Sequence, residues 1–175
     1  VRELNELYQA LLKARRRRHG LSIEHPELSF AFDEEQHLVA VTPEERNDAH
    51  KLIEECMIAA NVAAASFLQE AGAAGLYRVH PAPGEEKLET FASQLARLGL
   101  TLVGGRKATV EGYDRLWQCA RDREDAELIA ELMLRSMSKA GYSTDLAGHF
   151  GLALERYAHF TSPIRRYADL LVHRV

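Results

Sequence analysis

Apolar positions recur at helical spacing over the start of the chain, where Leu4, Leu7, Tyr8, Leu11 and Leu12 mark one stripe. Four arginines, Arg15 to Arg18, follow where the negative end of a helix accepts cations. The pattern predicts a helix from Val1 to about Arg17. From Leu28 the period shortens. Leu28-Ser-Phe-Ala-Phe32 alternates, Asp33-Glu-Glu-Gln36 is polar and Leu38-Val-Ala-Val41 is apolar again, which predicts a β-hairpin. Thr42-Pro-Glu-Glu45 then supplies a capping threonine, a proline for the first helical position and a capping-box glutamate, Glu45, so a long helix is expected from there to about Ala71. Its Ile53, Met57, Ile58, Val62, Phe67 and Leu68 predict burial over most of its circumference, interrupted by one narrow polar stripe of Asn47, His50, Glu54 and Asn61.

Beyond the glycines at 72 and 75, Leu76-Tyr-Arg-Val-His80 alternates as a short strand, and helical periodicity resumes at Lys87–Leu98. Gly104-Gly105 breaks it before two more helices, about Val110–Ala120 and Asp125–Lys139, with Leu128, Leu132, Met133 and Met137 facing the core and Trp117 as an anchor. Gly141 to Gly148 reads as a glycine-bounded loop, and His149-Phe-Gly-Leu-Ala-Leu154 alternates into the closing segment. There Ser162-Pro163 reads as a helix start. Ile164, Tyr167, Ala168, Leu171 and Val175 would form its apolar stripe. The pattern as a whole is α+β and predominantly helical, with a long core helix and a short hairpin.

Arg165 and Arg166 do not fit that picture. The amino end of a helix carries partial positive charge and disfavours cations by roughly 0.3–1 kcal/mol. Two guanidinium groups there make a receptor for a phosphate oxyanion, and the alternative is that Arg166 pairs with Asp169 at i+3 while both are solvated. Glu54 poses a similar choice, because a carboxylate on an otherwise apolar helix needs a partner, which a structural arginine could provide. Tyr157, His159 and Phe160 could stack on unpaired bases, or Phe160 could be core and Tyr157 half-buried.

Composition narrows the classes. A chain of 175 residues that is 46% apolar can bury one core, and its net charge of −4 excludes a binder held to nucleic acid by overall basicity, so any such contact must be local. No secretory pattern opens the chain, and no membrane partner is expected. Cys56 and Cys119 lie far apart and suit a reducing cytoplasm better than a disulfide framework.

The run Tyr157-Ala-His-Phe-Thr-Ser-Pro-Ile-Arg-Arg-Tyr-Ala-Asp-Leu-Leu-Val-His-Arg174 closely resembles the signature of the ribonuclease II/ribonuclease R family of processive 3′-to-5′ exoribonucleases. Arg15–Gly20, Arg46–Asn61, Leu76–His80 and His149–Ala153 resemble further stretches of that family in the same order, and Arg46–Asn61 is closer to its ribonuclease R branch. The resemblance implies a metal-dependent hydrolase that degrades single-stranded RNA to nucleoside 5′-monophosphates, as a cytoplasmic monomer. It implies that Arg165 meets the scissile or adjacent phosphate as the catalytic cation. It also implies that Glu54 helps hold the terminal nucleotide, and Arg166, Tyr157 and His159 are the further candidates for RNA contact. The family's magnesium is held by an aspartate cluster that has no counterpart among the scattered aspartates of this sequence. The chain is therefore expected to be the carboxyl-terminal part of a catalytic domain, inactive alone, with the metal ligands and flanking RNA-binding β-barrels lying outside it. The competing expectation is a helical RNA-binding or protein-interaction module without catalysis.

Overall fold

The Asn47 side chain sets where the longest helix begins, and Asp169, inside the last helix, holds the turn that precedes it. In a computed structural model, which describes residues 2–23, 27–44, 46–104 and 107–175, the elements run α1 (Arg2–Arg17), β1 (Glu27–Phe32), β2 (Leu38–Glu44), α2 (Asp48–Glu70), β3 (Tyr77–Val79), α3 (Glu85–Arg97), α4 (Val110–Ala120), α5 (Ala126–Ser136), β4 (Gly141–Ser143), a 3-10 turn (Phe150–Leu152) and α6 (Tyr167–His173). The architecture is α+β and mostly helical, as the periodicity predicts.

The long helix starts later than Thr42. Asn47 caps it, accepting the N–H groups of Ala49 at 3.0 Å and His50 at 3.1 Å. Thr42 and Pro43 instead extend β2, opposite Ser29 and Leu28 of β1. The expected capping glutamate, Glu45, and Gly105 of the predicted breaker lie outside the described residues. Burial of α2 also differs from expectation, because one face is covered, through Glu55, Ile58, Asn61, Ala65 and Leu68, while Ile53, Met57 and Phe67 face outward. By length and composition α2 could cross a membrane. Its covered face holds a carboxylate and a carboxamide, however, and both are paired within the fold.

The last helix is a second correction. Arg165 and Arg166 both donate their N–H to the Ser162 carbonyl, at 3.3 and 3.1 Å, and Arg166 is extended at φ −129, so residues 163–165 form a turn and α6 begins only at Tyr167. The predicted stripe dissolves with that shift. Ile164, Tyr167 and Val175 are exposed, and Ala168, Asp169 and Val172 are buried in their place.

Packing divides into two clusters. Leu88, Phe91, Leu95, Tyr113, Ile129 and Met133 close α3, α4 and α5 around a core that Trp117 flanks, with Leu128 turned outward and Ile129 inward. Ala65, Leu68, Tyr77, Ala158 and Val172 join α2, β3 and α6. The supposed loop after Gly141 contributes β4, antiparallel to β3 with Arg78 opposite Tyr142. Near the middle of the molecule α1 is tied to α2 by Arg15, which donates to Glu55 at 2.5 Å and to the Leu21 carbonyl at 2.6 Å.

Candidate nucleic-acid interface

The segment 157–166 is pinned at both ends and projects between its anchors. At its start, the Asn61 amide donates to the Tyr157 hydroxyl at 2.9 Å, and the Asn61 carbonyl oxygen accepts the Phe160 N–H at 2.9 Å. At its end, Asp169 Oδ1 accepts the Ser162 N–H and the Arg166 Nη2, each at 2.8 Å. His173 stacks on Phe160 with ring centroids 4.2 Å apart and donates to its carbonyl. Arg165 stands on the projecting turn, exposed, and among the described residues no hydrogen bond or ion pair engages its guanidinium.

Beside this segment lies a cluster of rings. Tyr157 packs edge-on against His149 at 5.4 Å and His159 at 5.8 Å, and His149 against His80 at 4.9 Å. The Tyr142 hydroxyl and His159 Nδ1 are hydrogen-bonded at 2.7 Å. Arg78 lies 5.1 Å from the centroid of the Tyr142 ring, a cation–π arrangement that follows from their cross-strand pairing.

The histidines are scaffold groups kept neutral. Burial, then the positive fields of Arg166, Arg78 and Arg165, push His159 down to about 4, against a smaller opposing effect of Asp169. Burial together with His80, Arg78 and His159 pushes His149 down to about 4. His80 is lowered as well, by burial and Arg78, while its bond to Ser138 opposes. It donates from Nε2 to the Ser138 carbonyl and accepts the Gly151 N–H at Nδ1. His149 Nδ1 likewise accepts the Leu152 N–H. Arg78, Arg165 and Arg166 all act on His159 and give this face local positive charge.

Of the residues singled out in the sequence, Arg165, Arg166, Tyr157 and His159 come together on this patch. Their parts differ. Tyr157 is 8% exposed, so its ring is a packing surface, and Tyr142, with His159 beside it, supplies the open aromatic area. Arg166 is paired with a fully buried Asp169. Glu54 is engaged by Arg46 and, at 3.3 Å, by Arg15, which is the structural pairing the sequence left open. It lines a cleft of about 900 Å³ between α1, α2 and α4 together with Tyr8, Arg46, Asp114 and Trp117, whereas its charge still reaches the Tyr157 hydroxyl.

Arg78 and Tyr142 were not legible as a site, because their proximity arises from a pairing between strands distant in sequence. An arginine in an alternating strand and a tyrosine in a glycine-bounded segment were the available signals. Among the described residues no group of three or more His, Cys, Asp or Glu side chains is placed to hold a metal ion. The described residues of this patch do not form a divalent-cation centre, and the chemistry open to them is that of arginine, aromatic rings and imidazole.

The chain is 52% identical to ribonuclease R of Vibrio cholerae serotype O1 over 174 residues, which cover 99% of it and 21% of that protein. The apo form of Mycoplasma genitalium RNase R superposes with a TM-score of 0.90 at 30% identity, covering 95% of this chain and 26% of that one. The same enzyme in complex with ribose-methylated single-stranded RNA gives 0.89. Yeast Ssd1, a pseudonuclease, matches with a TM-score of 0.64 at 27% identity over 74% of this chain and 16% of its own. The chain thus spans between a sixth and about a quarter of these relatives. The RNB domain model matches residues 1–175, and the chain belongs to the RNB domain family.

Proposed function

We propose that this chain forms one wall of the RNA channel of a processive 3′-to-5′ exoribonuclease, and that Arg165 is its catalytic contribution. The observation that carries this is the pairing of an exposed, unengaged guanidinium with a rigidly anchored turn and an adjoining aromatic, electropositive surface. Aromatic faces bind unstacked bases at about 1–3 kcal/mol per base without regard to sequence, and a fixed arginine stabilises negative charge developing on a transferred phosphoryl group. Likeness to an RNase R that has been solved with single-stranded RNA supports the choice of ligand.

In this reading RNA lies across Tyr142 and His159, and Arg165 meets the phosphate at which hydrolysis occurs. The guanidinium binds the phosphate oxygens in a planar fork and holds that charge as the bond to the leaving 3′ oxygen breaks. Arg166 and Glu54, expected beside the RNA, act from behind it as braces. Magnesium would be held by carboxylates beyond these 175 residues, in a protein working as a cytoplasmic monomer with RNA-binding β-barrels on either side.

The test is to incubate the protein at its natural length with magnesium and a 5′-labelled single-stranded oligoadenylate. Stepwise shortening with release of nucleoside 5′-monophosphates is expected, and the 175-residue chain alone should bind without cleaving. RNA binding without any shortening by the full-length protein would favour a non-catalytic module, as in the pseudonuclease relative. Cleavage by the 175 residues alone would show that the metal site lies within them.

A further inference from the structure

Asp169 is the least exposed charged residue in this part of the fold, at 0%, and it lies four residues beyond the arginine on which the proposed function rests. One of its oxygens, Oδ1, receives both the Ser162 N–H and the Arg166 guanidinium. The other, Oδ2, and Arg166 Nε are buried without a hydrogen-bond partner. A buried carboxylate is costly unless paired, and a single partner pair at half capacity is a poor way to gain stability when an apolar residue would fill the same volume. The arrangement makes better sense as a means of fixing a conformation.

What it fixes is the turn. Ser162 is bound to Asp169 through its N–H, and its carbonyl holds the N–H groups of Arg165 and Arg166. Arg166 then folds back onto Asp169. The ring of contacts runs from Asp169 through Ser162 to Arg166 and returns; Arg165 joins it through its backbone N–H alone, its side chain standing outside, and Ile164 is fully exposed at the tip. We infer that Asp169 is a positioning residue for Arg165, with Arg166 as its brace: the buried Asp169–Arg166 pair sets the turn from which the Arg165 guanidinium is presented. This inference rests on the reading of Arg165 given above.

Burial alone would raise the Asp169 carboxyl, but Arg166 and the Ser162 N–H outweigh it and hold the group below the usual carboxylate range. The brace is therefore an ion pair at neutral pH.

A double-mutant cycle in the full-length protein, on single-stranded oligoadenylate with magnesium, tests the inference. Asp169→Asn keeps the shape and an acceptor for Ser162 but loses the charge that holds Arg166. It should lower kcat on the order of tenfold to a hundredfold, as misplacement of a catalytic group by about 1 Å does, with KM within about twofold. In an Arg165→Ala background the same substitution should cost less than about twofold further, since there is no longer a guanidinium to place. Arg166→Lys, which retains charge but not the planar fork, should show the same coupled loss to a smaller degree, and serves if Asp169→Asn lowers the thermal midpoint enough to unfold the protein. Equal factors lost in both backgrounds, or an unchanged kcat in Asp169→Asn and Arg166→Lys, would overturn the positioning role while leaving Arg165 in place. An unchanged kcat in Arg165→Ala alone would instead remove the reading of Arg165, and the brace with it.

Discussion

The side chain of Asn61, 3% exposed in the middle of α2, donates to the hydroxyl of Tyr157 at 2.9 Å and accepts the Phe160 N–H at the same distance. One carboxamide thereby fixes the entry to the segment that carries Arg165. Removing it leaves a buried hydroxyl and a backbone N–H without partners, each costing about 1–3 kcal/mol. Asn61→Ala should lower unfolding free energy in urea by about 2–6 kcal/mol on that basis, while Tyr157→Phe, which takes away only the hydroxyl, should cost about half as much. Equal stability of Asn61→Ala and the parent would contradict the anchoring described here.

The Arg15–Glu55 pair that ties α1 to α2 and the pair between Arg46, just before α2, and Glu54 on that helix should respond differently. Arg15 and Glu55 have side chains 11% and 5% exposed, and stripping one partner from such a pair typically costs about 3–5 kcal/mol. Arg46 and Glu54 are 36% and 33% exposed, where solvent screens the attraction to about 0–1 kcal/mol. Denaturant midpoints for Glu55→Ala and Arg46→Ala should rank in that order, and the reverse ranking would mean that Arg15 is not the tie between the helices.

Acid should weaken the fold over a defined range. His149 and His159 titrate at about 4 in the folded chain against an ordinary value of 6.5. Between those values the unfolded chain binds protons that the folded one refuses, so stability is full above about pH 6.5, declines as pH falls toward 4, and loses nothing more from these groups below that. Urea unfolding across this range should show the decline, and His149→Gln, which has no proton to gain, should have a shallower one. Stability that rises on acidification from neutrality would mean that these imidazoles are charged in the fold.

RNA affinity should depend on the pair that only the folded structure brings together. Tyr142→Ala removes the exposed ring, at about 1–3 kcal/mol for one stacked base, and Arg78→Ala removes the cation behind it. Filter binding of single-stranded oligoadenylate should weaken for both. Trp117→Ala, in the cleft lined by Glu54, should leave affinity unchanged, and a greater loss there than at Tyr142 would move the RNA path to that cleft.

The limits of legibility follow from the range of the forces involved. Helices α1, α3 and α4 and the hairpin are written in local periodicity and needed only neighbours to be read. The start of α2 was misplaced because Thr42 and Pro43 are good helix openers in isolation, and pairing with Ser29 and Leu28 outweighs that preference. The start of α6 was misplaced for a related reason, since Ser162-Pro163 does close a turn but Asp169 captures the Ser162 N–H and Arg166 leaves the helical region. Arg165 stood out by breaking a charge rule. Arg166, which broke the same rule, is explained by its partner at i+3. Arg78 with Tyr142, and Asn61 with Tyr157, depend on contacts across the fold that no window of sequence contains.

Replacing Arg165 by lysine in the full-length protein tests the central claim most directly, because lysine keeps the charge and loses the fork that would grip a transferring phosphoryl group. Single-turnover shortening of single-stranded RNA should slow by about a hundredfold or more, while the dissociation constant for the same RNA changes by less than about threefold. Equal losses in rate and affinity would contradict the account and reduce Arg165 to a binding contact.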